Sequence, residues 1–195
     1  HRFLMRIGVD ATCWSNTRGY GRHTRGLIGT LARVDRDNRY VFLVDSEEQL
    51  VSVPPEATVK VVKNSTPTSV AASADGRRSV RDIWNMSRAL SAPEFDLLLF
   101  PTIYSYVPVY SRVKKVVMIH DVIPETYPEL TVPRAAARLL WRSKAALGRW
   151  QADAIVTVSD YSRQGIVDHF GLAPERVFVV GEASDPIFRL LEAPQ

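Results

Sequence analysis

Cysteine is all but absent from this 195-residue chain, where Cys13 stands alone. A single thiol excludes an internal disulfide and a Cys-rich metal site, and it fits a reducing, cytoplasmic setting. No apolar run approaches the ~20 residues that a membrane-spanning helix needs. The amino end also lacks the basic-then-apolar pattern of a secretory signal. Residues 1–4 precede a start at Met5 and are left out of the fold reasoning. His23, His120 and His169 are scattered with no H-x-x-x-H spacing, so no metal site is expected. No G-x-S-x-G elbow occurs, which speaks against a serine hydrolase.

What is present is a core-forming composition, 46% hydrophobic, with a modest basic excess: net charge +4 and pI near 9.4. That length and apolar content suit one α/β domain rather than a disordered chain. The charge attracts phosphates or an anionic surface, but no nucleic-acid-binding motif accompanies it, so nucleic acid is not an expected partner.

Short β-branched runs alternate with helical periodicity along the whole chain. Strands are predicted at 6–10, 40–44, 58–62, 96–100, 115–120, 154–159 and 176–180, mostly continuous Val/Ile/Leu runs of the kind covered on both faces in a parallel sheet. Helices are predicted at 21–34, 79–92, 133–151 and 160–170. Pro133 reads as a first-turn proline and Gly171 as a C-terminal glycine. The fold class is therefore α/β, a Rossmann-like, doubly wound, mainly parallel sheet. The Ser/Thr/Ala/Pro-rich stretch 64–76 reads as a long surface loop.

Ligands of open parallel sheets bind beyond the carboxyl ends of the strands. Four polar clusters follow such ends: Asp10 with the loop carrying Gly19, Tyr20, Gly21 and Arg22, then Tyr104, then His120 with Asp121, then Ser159, Ser162 and Arg163. Glycines at a helix entrance suit close approach to a phosphate, though an ordinary flexible loop or a nicotinamide site has the same local look. Asp45 mimics the acid of a dinucleotide site. The fingerprint fails at Thr24, where the third glycine belongs, and the turn from Asp10 is too long. His120 can exchange a hydrogen bond with a sugar hydroxyl, with Asp121 orienting its ring or capping the turn before Pro124. A structural His–Asp pair is the alternative. Ser159 or Asp160 suits a helix N-cap. Arg134, Arg138 and Arg142 form a basic stripe beside Leu140, Trp141, Leu147 and Trp150, which fits either a solvated face or peripheral contact with anionic lipid.

Gly19-Tyr-Gly-Arg-His-Thr-Arg-Gly-Leu27 resembles the "GIGRYTRNL" stretch of family 4 of the retaining, nucleotide-sugar-dependent glycosyltransferases. His120-Asp-Val-Ile-Pro-Glu-Thr-Tyr-Pro-Glu129 resembles that family's "HDLIPLLYPE". Ala152-Asp-Ala-Ile-Val-Thr-Val-Ser-Asp-Tyr-Ser-Arg163 resembles its "ADRIITVSEYSR", and the segments 171–177 and 182–188 resemble the end of its first domain. The branch they most resemble makes bacterial surface polysaccharides, often from GDP-mannose.

The resemblance implies one half of a two-domain GT-B enzyme, with 5–188 the acceptor-side domain, 189–195 the start of a linker and the donor-binding domain absent. Gly19 and Gly21 would approach the donor diphosphate, His120 would sit beside the transferred sugar, and Ser159 and Arg163 would line the cleft. The donor is then a nucleotide-sugar, the acceptor a glycan or a lipid-linked glycan, with no cofactor. Tyr20 and His23 depart from the family's usual aliphatic residue and tyrosine. The isolated chain is expected to lack transfer activity, to bind donor weakly and to be prone to self-association. A lone glycan-binding or split-enzyme module and a nicotinamide oxidoreductase domain are the competing readings.

Overall fold

A computed structural model describes residues 4–65, 68, 78–184 and 188. Seven parallel strands form one sheet, in the order β3-β2-β1-β4-β5-β6-β7. They are β1 (Arg6–Asp10), β2 (Arg39–Val44), β3 (Thr58–Val61), β4 (Leu97–Phe100), β5 (Lys114–Met118), β6 (Ala154–Thr157) and β7 (Val177–Val179). Register is fixed by pairs such as Val9 with Phe42 on one side and with Leu99 on the other. The predicted loop 64–76 lies outside the described residues except at 64, 65 and 68.

Side chains alternate across the pleat, as a period of two demands. In β2, Tyr40, Phe42 and Val44 join Trp14 and Ile28 on the face covered by helix α1 (Gly19–Val34). Val41 and Leu43 point the other way, into a larger core with Leu98, Phe100, Val117 and Ile155. That face is covered by α2 (Val80–Leu90), α5 (Ala135–Gln151) and α6 (Asp160–Phe170). In α5 the buried positions Ala137, Trp141, Ala145 and Gly148 make one stripe at helical spacing. Each fully buried large side chain here removes about 1.5–3 kcal/mol worth of apolar surface from water.

Two four-residue helices that the sequence reading missed, α3 (Ile123–Thr126) and α4 (Pro128–Thr131), follow β5. Each carries a proline at its amino end, where the missing N–H costs nothing. Helix ends elsewhere follow local chemistry. Ser79 caps α2 by accepting from the Asp82 N–H at 3.0 Å. Gly171 ends α6 in the left-handed region, φ 61°, which glycine adopts without strain.

Three sequence expectations need correction here. α1 starts at Gly19, so both loop glycines lie in its first turn instead of ahead of it. Pro133 precedes α5, whose N-cap is Arg134. Trp141 belongs to the core, 4% exposed, and not to an outward apolar stripe.

Candidate active site

The chain leaves β1 toward β2 and β3 on one side, then restarts at β4 on the other. The connections after β1 and β4 therefore diverge and leave a crevice at the carboxyl edge, the switch point of an open α/β sheet. The two connections bring Tyr20 and Tyr104 together as stacked rings, centroids 5.1 Å apart. Tyr104 lies against Trp141 at 5.1 Å on its other side. Burial, helped by the charges of Asp121 and Glu125, raises the Tyr104 phenol well above its ordinary value, so it is a neutral donor.

The stretch between β1 and α1 is compact. Asp10 accepts from the Thr12 hydroxyl at 2.7 Å. Asn16 offers its side-chain oxygen to the Arg18 N–H at 2.8 Å, and Arg25 holds the Asn16 carbonyl at 2.9 Å. Gly21 is needed for this packing, because a Cβ there would lie 2.1 Å from the Asn16 carbonyl oxygen. A Cβ on Gly19 would meet nothing within 4 Å. The amino end of α1 has no side-chain cap and no acidic residue in its first turn, which leaves the positive end of the helix dipole uncompensated beside Gly19 and the exposed Arg22.

His120 lies just past β5. Its Nε2 is 3.2 Å from the Pro101 carbonyl. A carbonyl oxygen can only accept, so the proton sits on Nε2 and Nδ1 keeps its lone pair. Burial, then the neighbouring His23, push the His120 pKa below its ordinary value, so the neutral ring is favoured. The Asp121 carboxylate accepts from the Ile123 N–H at 2.9 Å and so caps the turn into α3. Its pull on the His120 ring is electrostatic.

His23 lies beside His120 in the candidate site, a neighbour that sequence reasoning did not place there. Its ring meets His120 edge-on at 5.0 Å, and its Nδ1 lies 3.0 Å from Glu182. The His23 side chain is 8% exposed, and its Nε2 has no hydrogen-bond partner. The candidate ligand atoms of His23, His120 and Glu182 lie within 4.8 Å of one another, so two of the three histidines expected to be scattered are neighbours in space. Three such groups can relay a proton or, drawn together, hold a divalent ion. Only the departure of His23 from a familiar motif signalled this, and sequence spacing could not reach Glu182.

The remaining sequence candidates do other work. The Ser159 hydroxyl accepts from the Ser162 N–H at 3.1 Å and donates to the Ser162 hydroxyl, capping α6. Arg163 was expected to line the cleft, but it donates to the carbonyls of Val177 and Pro174, both at 2.9 Å, and ties α6 to β7. Asp45, the mimic of a dinucleotide acid, is 3% exposed and accepts from Asn64 and the Thr68 N–H, so it does not reach for a ribose.

The profile of Glycosyltransferase Family 4 matches residues 17–186, which include Tyr20, His23, Tyr104, His120 and Glu182. The chain belongs to Glycosyltransferase Family 4. None of the curated proteins is significantly similar to this family 4 chain. Among solved structures, Anabaena HepE in complex with UDP and glucose aligns at a TM-score of 0.56 and 15% identity, over 94% of this chain and 45% of that chain. A kitacinnamycin glycosyltransferase aligns at 0.56 and 13%, over 98% and 56%. The calicheamicin glycosyltransferase CalG4 aligns at 0.54 and 15%, again over 98% and 56%. At these identities the likeness establishes the fold, one Rossmann-like half of a GT-B glycosyltransferase. The family 4 chain spans about half the length of each of these enzymes.

Proposed function

We propose that this chain is the acceptor-binding half of a retaining glycosyltransferase that moves a hexose from a nucleotide-sugar to a glycan or lipid-linked acceptor. The observation that carries the reading is the neutral His120 at the switch-point edge. Its Nδ1 is available as an acceptor, and Tyr20 and Tyr104 line the same crevice. A neutral imidazole so placed takes a hydrogen bond from a sugar hydroxyl and orients the ring for attack. Gly19, with open space around it and the uncapped end of α1 behind it, suits the approach of a donor diphosphate.

The donor sugar is proposed as mannose carried by GDP, on the motif match. The UDP and glucose held by the Anabaena protein support a nucleotide-sugar donor in general. No cofactor is needed for this chemistry. The transition state is oxocarbenium-like, with negative charge gathering on the leaving phosphate, and that charge needs preorganised cations. Arg18 and Arg22 flank Gly19 on exposed side chains that nothing preorganises around a diphosphate, so the main anion clamp is assigned to a second domain, and the chain alone is inactive. Incubation of the chain with labelled GDP-mannose and UDP-glucose should give no transfer or hydrolysis above background. Robust turnover would overturn the division of labour.

A further inference from the structure

A groove of about 620 Å³ runs between α2, α5 and the segment that carries Tyr106 and Pro108. That is the size of a small-molecule site. Its walls are apolar, with Val80, Ile83, Leu140 and Leu147 along its length, and among the described residues its charged lining is cationic: Arg78, Arg134 and Lys144. Lys144 donates to the Tyr104 carbonyl at 2.9 Å and sits 4.8 Å above the Trp141 ring. Arg78 donates through Nη1 to the Ser105 carbonyl at 2.8 Å, while its Nη2 is buried without a partner. Burial and the charge of Arg78 push the Lys144 ammonium down to about 8. Asp10, a buried acid close enough to feel Arg78, is pushed up by burial.

Two half-desolvated cations at one end of an apolar trough make a site whose missing element is an anion. Lys144 binds the carbonyl of Tyr104, the residue whose ring stacks on Tyr20, so the cationic end abuts the crevice. The other end opens where Val80 is 83% and Leu140 58% exposed. Trp84 and Tyr110 pair on the surface at 5.6 Å, one helical turn beyond Val80. Aromatic side chains of this kind favour the water–bilayer boundary.

We propose that this groove takes the single apolar chain of a bilayer-borne lipid phosphate, with the phosphate at Arg78 and Lys144 and the chain along Val80, Ile83 and Leu140. The inference rests on the acceptor-side reading and narrows it to a lipid-linked acceptor delivered from the membrane. Trp141 lines the groove and reports binding by fluorescence.

The test titrates the 195-residue chain with geranylgeranyl phosphate, geranylgeraniol and inorganic phosphate. Geranylgeranyl phosphate should saturate, at least tenfold more tightly than either of the others. Arg78→Gln with Lys144→Met should weaken it tenfold or more. Leu140→Glu, at an exposed position that leaves the fold intact, should do the same by placing an acid on the chain path. Equal binding of the alcohol, or binding indifferent to Leu140→Glu, would overturn the proposal. So would a dimer broken by Leu140→Glu with lipid binding unchanged, which would give the groove to a second copy of the chain. Because no sugar transfer is measured, failure here leaves the glycosyltransferase reading standing. Success with no nucleotide-sugar binding at His120 would sink that reading alone.

Discussion

The rings of His23 and His120 meet edge-on, centroids 5.0 Å apart with planes at 89°, and a Glu182 carboxylate oxygen lies 3.0 Å from the Nδ1 of His23. Two imidazoles that close cannot both carry a proton cheaply, and burial already disfavours charge on His120.

His120 should therefore titrate below its ordinary value of 6.5 in a histidine NMR experiment. Replacing His23 with Phe should raise that midpoint, and Glu182→Gln should lower it. The folded pKa is depressed, so its contribution to stability is complete above the unfolded value and is lost as pH falls through the folded one. Thermal midpoints should drop from pH 7 to pH 5 more in the wild type than in His120→Asn. EDTA should leave the titration unchanged, and a shift on chelation would show a bound metal.

The two glycines of the α1 entrance should separate cleanly. Gly21→Ala drives a Cβ into the Asn16 carbonyl and should cost about 1–3 kcal/mol in denaturant unfolding. Gly19→Ala meets open space and should leave stability within about 0.5 kcal/mol of wild type. Any loss of nucleotide-sugar binding in Gly19→Ala is then a loss of approach, not of fold.

Lys144 gives a prediction of the same pH sense in a more alkaline window. Its folded pKa, about 8, lies below the ordinary 10.5, so the unfolded chain binds more protons between those values and stability rises with pH across the window. Lys144→Met should be the more stable protein at pH 7, by at most about 3 kcal/mol. The gap should narrow by pH 9.5 in paired melting curves.

Ser159→Ala should cost about 1 kcal/mol through the lost cap of α6. Arg163→Met should loosen α6 from β7, seen as faster amide exchange at Val177 and Phe178. Neither should alter ligand shifts at His120, because both residues act on the fold.

The sheet was legible because strands such as β2 and β5 carry short continuous apolar runs, Tyr40 to Val44 and Val116 to Met118, a signal that survives without neighbours. His120 was legible for the same reason: it directly follows such a run, and strand ends at one edge converge. Gly171 was legible because only its backbone conformation was at issue. What escaped was set by packing. Trp141 looked like surface because its i+4 partners Ala137 and Ala145 are small, yet that small-residue stripe is the face that docks on the core. α3 and α4 are too short for any periodicity to show. The His23–Glu182 contact joins distant parts of the chain, and nothing in either residue's own neighbourhood announces the other. Arg163 looked available because its carbonyl partners carry no sequence signature.

The most direct test of the central claim is chemical-shift mapping of the chain titrated with GDP-mannose and with UDP-glucose. Weak, saturable shifts gathered at Gly19, Tyr20, Tyr104 and His120, diminished by His120→Asn with the fold intact, are the predicted result. Absence of any shift at His120 with either donor, or saturable NADH shifts around Asp45 instead, would contradict it.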